Sequence, residues 1–248
     1  MNWRPDPEFL RHALIVLAGH RYWLLPFLPL LWLVFQRLII LYDPTSVVAA
    51  SSVQGQLLAA PLTALAIFLG MRIIAGEIDD RTLEIAYTVP GGCERLWFVK
   101  LTSAFLLLLA GELVLAIVVY LCFTPFPVGA LYGALQGACF YLVLSMAMGT
   151  LFRSEASGAI ATIAILAINL LFTDYGNNQL RFSPFFNPYF LADPGAASVG
   201  ARNLGFTSAT ELLAWTIQNR IGMLLVMAAL MALAFMRANR RERMLDGM

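Results

Sequence analysis

A chain of 248 residues that is 60% hydrophobic and 12% charged, with a mean hydropathy of +0.77, is not composed like a soluble domain, in which roughly a quarter of the residues carry charge. Its formal net charge of +1 offers no basic stripe for nucleic acid. Several apolar runs reach the ~20 residues a helix needs to cross ~30 Å of hydrocarbon, so the composition predicts an all-α integral membrane protein, one transmembrane domain over residues 1–248.

Residues 1–21 come first. Trp3–Glu8 is polar and no small-residue cleavage site follows a short apolar core, so no cleavable leader is expected. Pro7–His20 reads as an interfacial elbow helix. Phe9, Leu10, Ala13, Leu14 and Leu17 share one face at helical spacing, with Glu8, Arg11 and His12 facing elsewhere. The alternative is an inward extension of the first span. Six spans follow, at about Tyr22–Leu41, Leu57–Ile74, Leu101–Phe123, Val128–Phe152, Ala156–Phe172 and Ile217–Met236. A strand reading fails, because the runs are long and lack period-2 alternation. Pro26 and Pro29 predict a kink or local unwinding in the first span.

An even span count puts both termini on one side. Twelve of the 16 basic residues go with them: Arg4, Arg11, Arg21, Arg72, Arg81, Arg95, Lys100, Arg153, Arg237, Arg240, Arg241 and Arg243. The other side keeps Arg37, Arg181, Arg202 and Arg220. The positive-inside rule then makes the termini cytosolic, and with them Gly76–Lys100.

That segment, GEIDDRTLEIAYTVPGGCERLWFVK, is a charged, turn-bearing island between two spans. Asp79 and Asp80 suit a helix N-terminus, and Leu83, Ala86 and Tyr87 can share a face. Pro90-Gly91-Gly92 stops the helix. Leu96, Trp97 and Phe98 re-enter the interface, and Lys100 snorkels where the third span opens. In chain order, the island has Glu77, then Thr82-Leu83-Glu84, a proline six residues on at Pro90, and a lysine ten further at Lys100.

In this register the chain resembles the type 2 ABC-transporter permeases, whose fold is also called the type V exporter. The layout resembles the family over nearly the whole chain: amphipathic first helix, six spans, and an elaborated outer loop before the last one. The chain departs where Arg81 replaces the usual glycine, Cys93 a basic residue, and Val99 the glycine before the lysine. The resemblance implies a coupling helix at about Asp80–Thr88, seated in a groove of a separate ATPase subunit. Glu77, Asp80, Arg81, Thr82, Leu83 and Glu84 would carry that coupling. It also implies a dimer, homomeric or with a close paralogue, two ATPase copies holding ATP and Mg, and a bacterial or archaeal cytoplasmic membrane. Spans one, two and five would line the dimer interface and the route. The chain has no GxxxxGK[ST] phosphate loop and its single lysine is Lys100, so any ATPase is another polypeptide. The island as a plain solvated connector is the alternative.

Few polar residues fall within spans. Glu112 lies roughly 17 Å into the third, and Gln36, Arg37, Gln136 and Asn169 come out at roughly 15–25 Å. They are read as one polar layer in which Glu112 pairs with Arg37 or lies protonated among the amides. The layer would line a pathway or serve as interhelical glue. Gly129, Gly133 and Gly137 form a close-packing stripe at i, i+4, i+8, facing a neighbouring span or a dimer seam. The outer region, residues 173–216, reads as two short re-entrant helices or an aromatic belt. The first part holds a candidate outer gate of Phe182, Phe185, Phe186 and Tyr189. The second, SATELLAWTI, would be a short helix capped by Ser208 or Thr210.

Rival chemistries lack their residues. His12 and His20 are the two histidines, with no HExxH or GxSxG, so a membrane enzyme is disfavoured. Cys93, Cys122 and Cys139 have no metal or disulfide spacing, and the ten methionines are scattered. An ATP-independent secondary transporter or channel is the alternative function; its usual sign, an inverted repeat with broken helices, is missing from the sequence.

Overall fold

The computed structural model describes residues 7–42, 48–88, 92–173, 180–189 and 209–240, and no strand occurs among them. Six helical stretches are long and apolar enough to cross a membrane: Tyr22–Tyr42, Ala50–Asp79, Cys93–Cys122, Gly129–Phe152, Glu155–Phe172 and Thr210–Ala238. The chain is a multi-pass membrane protein.

Helix α1 (Pro7–Ala18) is separate from the first span. Ala13 and Leu17 are buried, Phe9, Leu10 and Leu14 half-buried, and Glu8, Arg11 and His12 exposed, as the periodicity predicts. Gly19, at φ +76°, ends it by returning its N–H to the Ile15 carbonyl, a conformation glycine adopts without steric cost. The first span begins as a 3₁₀ turn over Tyr22–Phe27, which contains Pro26, and becomes α2 at Leu30–Tyr42. This is the unwinding that Pro26 and Pro29 predict.

The second span is longer than its hydrophobic run. A 3₁₀ turn at Ala50–Ser52 and a π-helical turn at Gln54–Ala59 precede α3 (Ala60–Asp79). The third, α5 (Cys93–Cys122), starts eight residues before Leu101 and takes in Leu96–Lys100. Then come α6 (Gly129–Phe152) and α7 (Glu155–Phe172). The last, α8, is one unbroken helix over Ala209–Ala238. The separate short helix expected at SATELLAWTI is its first turns: from Ala209 to Ala238 there is no proline, and the one glycine, Gly222, is too weak a breaker to divide the run. Residues 190–208, with Ser208, lie outside the described residues.

Helix α3 is the hub, packed against α5, α6 and α7. Lipid tails are as apolar as leucine, so close backbone approach must hold these helices together. Gly70 supplies it, since a Cβ there would overlap the Leu142 carbonyl of α6. One turn along α6, the Ser145 hydroxyl donates to the Ile67 carbonyl at 3.0 Å. Gly149 meets Ala75, and Gly158 of α7 lies on the Gly149 backbone. Helix α8 lies against α6.

Candidate functional site

At the end that carries the basic majority, the chain between α3 and α5 folds back on itself. Asp80 closes α3 by donating its N–H to the Gly76 carbonyl. Arg81 then takes a left-handed conformation, φ 58°, which costs a non-glycine residue of order 1 kcal/mol. The short helix α4 begins only at Leu83 and runs to Thr88. The expected start at Asp80 is three residues too early, because Asp80, Arg81 and Thr82 are used in the reversal.

The reversal is held from inside. The Lys100 ammonium donates to one Glu77 carboxylate oxygen, and the Thr82 hydroxyl donates to the other at 2.5 Å. Lys100 is 2% exposed and Glu77 8%. Lys100 therefore does not snorkel, as its place at a span end suggests; it turns inward to a counter-ion 23 residues away in the chain. The pair fastens the ends of α3 and α5 together, and Thr82 hangs α4 from it.

Helix α4 presents two unlike faces. Leu83 and Ala86 are buried. The Tyr87 ring stands edge-on to Trp97 of α5, centroids 6.3 Å apart, and its hydroxyl donates to the Ala238 carbonyl at the end of α8 at 2.5 Å. Trp97 packs in turn on Phe235 of α8. The Asn239 amide donates to the Glu94 carboxylate, and the Cys93 thiol to Asn239 Oδ1 at 3.3 Å. Arg237 donates to the Thr150 and Leu151 carbonyls at the end of α6. Outward, Asp80, Arg81, Glu84 and Thr88 are exposed. Of the six residues assigned to coupling, Asp80, Arg81 and Glu84 thus face outward. Glu77 and Leu83 are interior, and Thr82 is half-buried.

Beside α4 stands the α6–α7 corner, where Arg153 is left-handed at φ 56°. The first N–H of α7, at Glu155, is capped by Asp79 Oδ2 of α3 at 2.8 Å. Arg72 bridges Glu155 at 3.6 Å and donates to the Leu17 carbonyl of α1 at 2.9 Å. Arg95 lies over the Phe9 ring of α1. Asp79, Tyr87, Trp97 and Asn239 do more here than the sequence reading assigned them. No local pattern marks them, because each partner is distant in the chain.

At the opposite end, residues 180–189 pack into the bundle as a chain of turns. Phe186 is fully buried, and Phe185 stacks on Tyr141 of α6 with centroids 5.4 Å apart. Tyr189 is half-buried, while Phe182 is exposed and lies beside Gly222 of α8. Amides pin the backbone. Gln54 donates to the Phe186 carbonyl (3.0 Å), Asn187 to the Ser51 carbonyl (2.7 Å), and Asn219 of α8 to the Arg181 and Ser183 carbonyls (2.8 and 2.9 Å). The glycine stripe of α6 faces this segment. A Cβ would meet the Tyr189 hydroxyl at Gly129, the Gln54 amide at Gly133 and the Pro184 carbonyl at Gly137. It receives a folded-in loop and a π-turn of the same chain.

The structure does not join the intramembrane polar residues into one layer. Arg37 is exposed, with its guanidinium 5.7 Å over the Phe123 ring. Glu112 is 3% exposed, and none of the described residues donates a hydrogen bond to its Oε1. The expected Glu112–Arg37 pair is not formed. Gln136 is engaged with Arg220, accepting from its guanidinium at 2.9 Å and donating to its carbonyl at 3.1 Å. Asn169 accepts from the Ser183 hydroxyl at 3.4 Å, and Gln36 is half-buried. Equal depth along a span does not fix azimuth, and these side chains leave their helices in different directions.

Among the described residues, no group of three or more His, Cys, Asp or Glu could hold a metal ion. In comparisons with protein-family models, with curated proteins and with solved structures, nothing matches the chain.

Proposed function

We propose that the chain is the transmembrane permease subunit of an ATP-binding cassette exporter, driven by a separate ATPase. The observation that carries the reading is α4. It is a short helix tied at its root to α3 and α5 by the Glu77–Lys100–Thr82 cluster, anchored along its apolar face to α5 and α8, and exposed on its charged face at Asp80, Arg81 and Glu84. A plain connector has no reason to bury its only nearby lysine on a glutamate. An element meant to receive force does, because force applied to a loose loop is lost in the loop.

The permease works as a dimer with two ATPase subunits that bind ATP and Mg, and the α4 end faces the cytosol. ATP closes the ATPase pair and moves α4 through Asp80, Arg81 and Glu84. Glu77, Thr82 and Leu83 act behind that face and pass the movement to the spans. The first, second and fifth spans rearrange, and cargo leaves outward past the segment Phe182–Tyr189.

The test is purification from native membranes in mild detergent. A P-loop ATPase should come with the chain in stoichiometric amount, with turnover that depends on it. Transport by the reconstituted chain at full rate with no ATPase present would establish the secondary-transporter reading instead.

A further inference from the structure

Helix α8 touches two elements of this molecule that lie toward opposite ends of the bundle. At one end its last carbonyl, Ala238, accepts from Tyr87 of α4, and Phe235 packs on Trp97, which Tyr87 also touches. Ten residues inside its other end, Asn219 holds the Arg181 and Ser183 carbonyls of the folded-in segment, and Gly222 accommodates Phe182. The 19 residues from Asn219 to Ala238 rise about 28 Å, close to the ~30 Å of a hydrocarbon core.

Between these contacts α8 is held along one face, where Arg220 pairs with Gln136 and Met223 and Ala234 are buried. It lies against α6, while Ile221, Leu224, Leu225, Val226, Leu233 and Met236 are exposed to the surroundings. An unbroken helix that touches both elements and meets one neighbour along a single face is stiff along its axis, so a displacement at one contact is carried to the other.

We propose that α8 is a strut that relays displacement of α4 across the membrane to residues 180–189, with Tyr87 and Asn219 as its positioning residues. The segment it moves is set to respond. Its own amides are held by turns, Ser183 N–H on the Leu180 carbonyl and Phe186 N–H on the Ser183 carbonyl. Two of its carbonyls hang on the single Asn219 side chain. Asn219 is fully buried and Ser183 nearly so, so the Ser183 carbonyl has no water in reserve when the amide withdraws. The use of the relay in transport rests on the permease reading; the mechanical link does not.

The experiment is amide hydrogen exchange by mass spectrometry on the full chain in nanodiscs of phosphatidylethanolamine and phosphatidylglycerol, with no ATPase. Tyr87→Phe removes one oxygen, at the α4 end. Exchange at 180–189 is expected to rise about threefold or more, with the α3–α6 core unchanged. Asn219→Leu, which keeps the branching at Cγ but has no hydrogen to donate, should raise exchange at 83–88 in the reverse direction. Tyr87→Phe that alters α4 amides alone overturns the relay, and so does a uniform rise through the α3–α6 core. Neither result touches the ATPase co-purification, so failure of the relay and failure of the permease reading are told apart.

Discussion

Lys100 and Glu77, 23 residues apart, form an ion pair almost wholly removed from solvent, and Thr82 completes it by donating to the second carboxylate oxygen. One partner closes α3 and the other lies in the first turns of α5. The turn that carries α4 is therefore set by charge as well as by backbone preference.

Breaking the pair from one side leaves a buried charge alone. Lys100→Met or Glu77→Gln should destabilise the protein by about 3–5 kcal/mol, whereas the double change Glu77→Leu with Lys100→Met should recover most of that loss. Thermal unfolding in detergent micelles checks this. A double variant no more stable than the single ones would mean that the pair does not fix the turn.

Glu84 points away from the bundle. Glu84→Arg should change stability by no more than about 0.5 kcal/mol and, on the permease proposal, lower ATP-driven transport about tenfold. Transport assayed in proteoliposomes with the co-purified ATPase decides it; full transport by this variant would remove the outer face of α4 from the mechanism.

Gly133 and Gly55 make a matched pair. A methyl at Gly133 would meet the Gln54 amide at 2.5 Å, while one at Gly55 meets nothing within 4 Å. Gly133→Ala should displace Gln54 from the Phe186 carbonyl and cost about 1–3 kcal/mol. Gly55→Ala should be neutral or mildly stabilising. Melting temperatures of the two variants, side by side, give the comparison.

Asp79 caps a helix other than its own. Asp79→Ala should lose about 1 kcal/mol, with faster amide exchange confined to the first turn of α7. Asp79→Asn, which keeps an acceptor oxygen, should lose less. Equal losses would show that the charge, and not the cap, matters there.

The spans were legible because apolarity is a continuous local signal. The unwound start of the first span was legible because Pro26 is a local fact. The amphipathic face of α1 and the buried face of α4, with Leu83 and Ala86, followed from helical spacing. What sequence could not supply is azimuth and distant pairing. Glu112 and Arg37 share a depth, yet one points into α6 while the other stays outside on Phe123. The glycine stripe was visible, but its occupant is a Pro- and Phe-rich loop that the sequence offers as a short re-entrant helix or an aromatic belt, with nothing local to name its partner. Gln54 and Asn219 carry no signal of the kind that marks Gln136 and Asn169: Gln54 stands among Ser51, Ser52 and Gln56, and Asn219 between Gln218 and Arg220, so neither is a lone amide in an apolar run.

Because the one lysine of this protein is sealed in the bundle, an amine-reactive dye finds no lysine side chain to label while the fold is intact. A dye molecule bonded to Lys100 would record that the root of α4 had come loose. The protein thus carries its own reporter, silent when clamped and chemically available when not.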